Sequence, residues 1–289
     1  TRASPLRPEP FLARSEEEII SAMGSKYLPV PLNLGIKEIL QEEGRYAILG
    51  LPCHISGFRR AEVLNKTLRK RVILHLGLFC SNTPSFLGTR YLLNKLKIDE
   101  KDISKLSYRG YGWPGTGLIT LRDGEVVRFS YREWLRTGEL PFFKPVRCML
   151  CCDLTNRLSD ISLGDAWKLG NDPAGLSVIV SRSELGERIL QDANLKKRIV
   201  MHKIDQADVA RSQDLGKRMI DFAARGYTWS RILGKAASSR CAKFPRPAFR
   251  HLAWAVIYCL ILDLSQKKSF QRFIVRATPL ANLASLFIR

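Results

Sequence analysis

Tyr46-Ala-Ile-Leu-Gly-Leu-Pro-Cys53 and Val72-Ile-Leu-His-Leu-Gly-Leu-Phe-Cys80 are the stretches on which the fold turns. Each opens with a short apolar run of the kind that forms a strand buried on both faces. Between them, Ile55 to Arg71 is basic and roughly helix-periodic, and its length suits a crossover between parallel strands. The pattern predicts a βαβ unit. A cysteine follows each strand, and ligands of open α/β sheets gather at the carboxyl ends of strands. Cys53 and Cys80 are therefore expected on one sheet edge.

Upstream, Ser15-Glu-Glu-Glu18 has the form of a capping box, in which the Ser accepts from an early helix amide and Glu18 reaches back. A short helix to about Met23 follows, then Gly24-Ser-Lys-Tyr27 and an amphipathic segment from Leu34 to Glu43 that Gly44 should stop. Downstream, Thr83-Pro-Ser85 reads as the start of a helix through Phe86-Leu-Gly-Thr-Arg-Tyr-Leu-Leu-Asn-Lys-Leu96. The loop Tyr108-Arg-Gly-Tyr-Gly-Trp-Pro-Gly115 precedes alternation from Leu118 to Phe129 around Asp123-Gly124, the signature of a hairpin with a tight two-residue turn. Asp160 to Leu163 and Leu176 to Val180 read as further strands, and Glu184 to Ala193 as a helix. Beyond Gly226 the pattern becomes helix dotted with Arg and Lys, with Pro245 and Pro247 as breakers. The expected fold is α/β: a mixed sheet with a βαβ crossover, an antiparallel hairpin insert, and a basic helical tail.

A chain of 289 residues, 45% apolar, can bury a sizeable core. Its seven cysteines are an odd count at uneven spacings, a poor fit to a secreted disulfide framework and a better one to reduced cytoplasmic thiols. The apolar run Leu252 to Leu262 is too short to cross a bilayer, which takes roughly 20 residues. Net charge is +20, and residues 216–289 hold 14 Lys and Arg against Asp221 and Asp263, a net +12. Such a surface attracts anions, whether cofactor phosphates, anionic lipid or nucleic acid. Peripheral attachment to an anionic inner membrane face through the tail is therefore an option, with the apolar stretch His251 to Leu264 as an interfacial helix or simply a packed one. No nucleic-acid motif accompanies the basic residues, so no specific nucleic-acid partner is expected.

Cys148-Met-Leu-Cys151 is a C-x-x-C element, whose spacing lets two thiolates reach one metal or cluster. A redox dithiol and two incidental buried cysteines are the competing readings. Cys152 makes three cysteines in five residues, a hazard under oxidation unless some are ligated. With Cys53 and Cys80 the pair gives four thiolates, the number a 4Fe-4S cluster needs. A four-cysteine zinc site usually has two such pairs, and here there is one. His54, beside Cys53, is placed to tune a cluster or pass a proton, and is equally well a surface residue.

The motifs Gly24-Ser-Lys-Tyr27, Gly50-Leu-Pro-Cys-His-Ile-Ser-Gly-Phe-Arg59, Leu78-Phe-Cys-Ser-Asn-Thr-Pro-Ser85, Tyr108 to Gly115, and Cys148 to Asp153 with Ser159-Asp-Ile-Ser-Leu-Gly-Asp-Ala-Trp167 together resemble the family of coenzyme F420 hydrogenase/dehydrogenase beta subunits. The resemblance runs from about residue 20 to 200. It implies an FAD-binding oxidoreductase with a nearby 4Fe-4S cluster on Cys53, Cys80, Cys148 and Cys151, passing electrons between a hydride carrier such as F420, the flavin, the cluster and a redox partner protein or small acceptor. On it, Gly24, Ser25 and Lys26 contact the flavin phosphates, Tyr27 beside them belongs to the cofactor site, Thr83 and Ser85 offer a second phosphate site, and Arg109 and Trp113 face the cofactor rings. Without it, Gly24 to Tyr27 is an ordinary turn, Thr83 and Ser85 are plain caps, and Trp113 covers core. Asp165 is read as holding a loop rather than a ribose. Much of the family's usual N-terminal portion is expected to be missing. The expected division is a remnant of that region at 1–44, a flavin and iron-sulfur domain at 45–225, and the basic helical tail at 226–289. The competing function is a non-catalytic basic binding or assembly module with a structural metal.

Overall fold

The computed structural model describes residues 2–4, 6–138, 140–170, 172–235 and 247–276. An N-terminal hairpin of β1 (Arg2–Ser4) and β2 (Arg7–Glu9) leads to α1 (Glu16–Ser21) and α2 (Gly35–Gln41). Ser15 Oγ accepts from the Glu18 amide at 3.3 Å, as expected of the cap, but the Glu18 carboxylate takes the Arg14 amide at 2.7 Å, one residue before the N-cap. Next come β3 (Tyr46–Gly50), α3 (Pro52–Leu64), α4 (Lys66–Arg71) and β4 (Val72–Leu78). The crossover is longer than the periodicity suggested and is two helices. Pro52, well placed where a helix needs no amide donor, starts α3 at once, and Asn65 breaks it, its Oδ1 accepting from the Leu68 amide at 2.9 Å to begin α4. Cys53 consequently stands in the first turn of α3 rather than in a strand-end loop.

After α5 (Phe86–Lys95), the strands β5 (Ile103–Ser107), β6 (Thr116–Leu121) and β7 (Val126–Ser130) form an antiparallel sheet of their own. The hairpin turn is three residues, not two. Leu121 still donates to Glu125 at 2.8 Å, and Gly124 takes φ of +94°, which glycine adopts without steric cost. Then follow α6 (Tyr131–Gly138), α7 (Val146–Met149), β8 (Ile161–Asp165), β9 (Ser177–Ser181), α8 (Glu184–Leu195), α9 (Gln206–Ser212) and α10 (Leu215–Tyr227). The main sheet has the order β3-β4-β8-β9, parallel across the first two pairings and antiparallel between β8 and β9.

Apolar clusters hold these layers together. One, around Leu92, Ile119 and Trp134, fills the space between the antiparallel sheet and helices α5 and α6. A second, around Ile48, Ile55 and Leu68, seats the crossover helices on β3. In another, Met149 packs with Trp229, Cys259 and Leu262. Cys259 and Leu262 belong to α11 (Phe249–Ser265), which α12 (Lys268–Arg276) follows. Helix α11 is thus packed behind the C-x-x-C segment. The boundary expected at residue 226 falls inside α10, which runs on through a π turn at Thr228–Ile232. Pro247 stands just before α11, and Pro245 lies outside the described residues. Among the described residues, no helix is long and apolar enough to cross a membrane.

Candidate functional site

The carboxyl ends of β3, β4 and β8 face one cleft of about 350 Å³. Cys80 emerges directly after β4, with its amide bonded to the Leu154 carbonyl at 2.9 Å. That bond folds the loop after Cys151 back over the strand end. Asn156 secures the fold-back. It is fully buried, takes φ of +58°, and donates from Nδ2 to the Gly50 carbonyl at 2.9 Å and the Leu78 carbonyl at 3.3 Å. One amide side chain therefore ties the ends of both parallel strands to the loop that follows the C-x-x-C turn.

That turn is closed by the Cys151 amide donating to the Cys148 carbonyl at 3.2 Å. The Cys148 thiol approaches the Thr83 carbonyl at 3.8 Å, and the Thr83 side chain hydrogen-bonds Cys80. Burial pushes the Cys80 thiol up to about 12, with the Cys148, Cys53 and Cys151 thiols adding to the rise. Burial also raises Cys148 and Cys151, and Cys53 contributes to both. The four expected ligands therefore lie within electrostatic reach of one another. Cys152 acts only on Cys151 in this set. Among the described residues, no three His, Cys, Asp or Glu side chains converge on a single ion.

The cleft begins where the thiols end. Gly24, Ser25, Lys26, Tyr27, Cys80, Thr83 and Arg109 all line it. Gly24 has φ of +89° and nothing within 4 Å of where a side chain would sit, so the backbone there is open to close approach. Lys26 Nζ donates to the carbonyls of Ala22 and Met23 at 2.5 and 2.7 Å, capping the end of α1, and burial lowers its pKa. Arg109 donates to Asp165 at 2.7 Å and to the Pro114 carbonyl at 2.8 Å. Burial opposes its charge most, but Asp165 and Tyr27 together outweigh it and the pKa rises. Its guanidinium lies 5.0 Å from the Tyr131 ring centre and 5.9 Å from that of Trp167. Tyr27 stacks on Trp134 at 5.5 Å. Asp165 thus holds a loop, as expected of it.

Trp113 and Ser85 stand apart from this group. Trp113 packs on Trp167 at 4.6 Å behind the lining and covers Gly175, so Trp167, not Trp113, presents its ring to the cleft. The Ser85 hydroxyl is buried without a hydrogen-bond partner among the described residues, while its amide donates to the Phe143 carbonyl at 2.6 Å. It starts α5 through backbone conformation alone. His54 does line the cleft, with Nδ1 accepting the Leu51 amide at 3.2 Å, and burial lowers its pKa.

Sequence reasoning missed Tyr131, Trp134, Gln213, Arg218 and Asn156. The first four reach the cleft from α6 and from the segment at α10, far along the chain from any strand end. Asn156 was marked by nothing local. Also missed was a buried lock farther back on β4, where His75 sits between Glu62 at 2.6 Å and Asp160 at 3.3 Å.

Comparison with known proteins places this arrangement. Residues 43–207 match the C-terminal part of the coenzyme F420 hydrogenase/dehydrogenase beta subunit, and residues 1–37 match its N-terminal part. The expectation that this N-terminal portion is missing is corrected. It is matched here without cysteine and with glycine only at 24 and 35, so the signatures expected of it were not there to be read. A component of the F(420)H(2) dehydrogenase of Methanosarcina mazei is 26% identical over 191 residues, covering 65% of this chain and 50% of that protein. The beta subunit of the coenzyme F420 hydrogenase of Methanothermobacter thermautotrophicus is 24% identical, covering 65% and 63%. The coenzyme F420-dependent sulfite reductase of Methanocaldococcus jannaschii is 24% identical, covering 69% and 32%. The chain thus spans about half the length of the first of these relatives and less than two thirds of the second. A chain of the solved F420-reducing [NiFe] hydrogenase complex of Methanosarcina barkeri aligns at TM-score 0.53 with 18% identity, covering 76% of each chain, a likeness of fold. The match over more than half of its length establishes that the chain belongs to the family of coenzyme F420 hydrogenase/dehydrogenase beta subunits.

Proposed function

We propose that this chain is an oxidoreductase subunit that couples hydride exchange at a flavin in the cleft to single-electron transfer through a 4Fe-4S cluster on Cys53, Cys80, Cys148 and Cys151. The observation that carries the reading is adjacency: Cys80 and Thr83 belong both to the thiol group and to the cleft lining. The donor set fits a cluster better than zinc. Four sulfurs on one zinc, each about 2.3 Å from it, must converge on a point. A cubane takes each thiolate on a separate iron, which suits four cysteines that contain a single C-x-x-C pair and lie within electrostatic reach of one another.

When bound, a flavin supplies the conversion between hydride and single electrons that a cluster alone lacks. The protein's part is positioning and electrostatics. Gly24 opens the backbone for a phosphate. Lys26, already turned against a helix end, supplies a cation whose lowered pKa reflects burial that an anion would relieve. Tyr27, Trp134, Tyr131 and Trp167 wall a ring-shaped space, and Asp165 fixes Arg109 at its edge with a donor-rich plane. His54, next to Cys53 in the chain and lining the cleft, is held towards its neutral form by burial and is suited to exchange protons there.

The family resemblance makes F420 the first hydride carrier to try, and the names of the relatives make a protein partner the first electron acceptor to seek. Protein purified without oxygen should carry about four iron and four sulfide per chain with bound FAD, show a reduced-cluster EPR signal, and bleach its flavin band on addition of reduced F420. A colourless protein, or one that retains zinc, would overturn the reading in favour of a binding module. Replacing Cys152 by Ser should leave iron content unchanged.

A further inference from the structure

The charges around the cleft do not balance. Lys26, Arg109, Arg218 and Asp165 all line it. Arg109 and Asp165 neutralise each other at 2.7 Å, and Lys26 is engaged with the carbonyls of Ala22 and Met23. Arg218 is different. Among the described residues its guanidinium makes no hydrogen bond or ion pair. The carboxylate that feels its charge, Asp214, is already held by Lys168 at 2.6 Å.

We propose that Arg218 recognises an anionic arm, phosphate or carboxylate, on the hydride-carrying substrate that enters the cleft, and so sets which carrier is accepted. The inference rests on the redox reading above and concerns the same cleft. Further observations support it. Gln213 Nε2 donates to the Asp165 carbonyl at 2.7 Å, which anchors the approach to α10 on the wall that carries Arg109. Within the first turn of α10 itself stand Lys217 and Arg218 and no acidic residue, so the one carboxylate at this helix start is the N-cap Asp214. Its N-cap, Asp214, takes φ of 50° and makes no capping bond. Local rules broken in this way are expected where a ligand repairs them. Finally, α10 lies beyond the 43–207 stretch on which the family match rests, so this wall of the cleft is not part of what that match accounts for. With Lys26 and Gly24 assigned to the flavin phosphates, Arg218 is the cation left for the second ligand.

The test compares F420, whose side arm carries phosphodiester and carboxylate groups, with its uncharged deazaflavin riboside, using flavin-loaded protein. Binding is read by deazaflavin fluorescence and turnover by flavin reduction. The wild-type protein should bind F420 at least about tenfold more tightly than the riboside, the scale of one charge-assisted hydrogen bond. Arg218→Gln should raise the KM for F420 by about that factor, acting on KM rather than kcat, and leave the riboside's KM where it was. Arg218→Lys should restore much of the loss. An unmoved KM for F420, an equal loss on both compounds, or a fall in flavin content would each overturn the proposal while leaving the redox reading in place. Failure of the wild-type protein to bind or use either deazaflavin would sink the carrier reading itself, and this inference with it.

Discussion

Two points on one stretch of chain, five residues apart, show how differently a protein treats polar groups. At His75, in the middle of β4, both ring nitrogens are engaged, by Glu62 at 2.6 Å and Asp160 at 3.3 Å, and Arg59 adds a contact to each carboxylate at 3.7 and 3.5 Å. At Cys80, just beyond the strand, burial raises the pKa of the half-buried thiols of Cys80, Cys148 and Cys151, and the exposed Cys53 adds to the rise, with the cations Arg147 and Lys144 near Cys148 to offset it. Asn156 Oδ1 lies buried there without a hydrogen-bond partner among the described residues. The first constellation completes itself and needs nothing more. The second is left incomplete at a cost, and incompleteness of that kind marks a place where a ligand supplies the missing interactions.

The largest effects should separate the two ends. Cys80→Ser should abolish cluster occupancy, with iron falling from about four per chain to well under one, while the iron-free variant melts close to the iron-free wild type. His75→Ala should do the opposite. It leaves Glu62, whose side chain is only 7% exposed, without its closest hydrogen-bond partner, and stranding a buried polar group costs about 1–3 kcal/mol. Urea unfolding of the iron-free protein would measure it. If Cys80→Ser proves the more destabilising of the two without metal, the contrast between a ligand-seeking end and a self-satisfied one is wrong.

How much of this was legible beforehand follows from the same physics. The parallel strands and their terminal cysteines could be read because apolar runs and residue type are local signals. The C-x-x-C pair could be read for the same reason. The lock at His75 could not: Glu62 is 13 residues away and Asp160 is 85 away, and a lone histidine in an apolar run announces nothing about partners that only the crossover and β8 bring to it. Asn156 was invisible for a similar reason, since its role depends on two strand ends separated from it by 106 and 78 residues. Trp113 was singled out because its Gly- and Pro-rich loop looked like a presenter of rings, yet the loop turns inward. Its amide donates to the Pro173 carbonyl at 3.0 Å, and the ring ends up behind Trp167. The loop's composition marked Trp113, and the tryptophan that lines the cleft is Trp167.

A pH titration sharpens the comparison with a smaller effect. The Cys80 thiol is pushed up from 9.0 to about 12, chiefly by burial and then by Cys148 and Cys53. In the unfolded chain the thiol loses its proton near the ordinary value, whereas the fold keeps it until the higher one. The contribution to stability is therefore complete below pH 9 and is lost as pH rises towards about 12. Iron-free protein should show a Tm that falls through this alkaline window, and Cys80→Ser should flatten the fall. Cluster-loaded protein should lack this component, because iron holds the thiolates whether or not protons are scarce. A Tm that declines equally in all three samples would mean that the thiol end is not where the alkaline sensitivity resides.

The smallest effect comes from a pair that belongs to neither constellation. Lys168 and Asp214 meet at 2.6 Å with side chains 60% and 52% exposed, and an exposed ion pair contributes roughly 0–1 kcal/mol. Lys168→Ala should therefore barely alter urea unfolding of the iron-free protein. Its interest is where the freed carboxylate goes. Asp214 feels Arg218, and with Lys168 gone its charge falls more fully on that guanidinium. Affinity for an anionic carrier should then weaken by a factor of about two to five, with the uncharged riboside unaffected, an effect within the range of one exposed charge contact. A change in stability with no change in carrier affinity would show that Asp214 and Arg218 do not compete across the first turn of α10. The cation at the cleft wall would then owe nothing to the pair beside it.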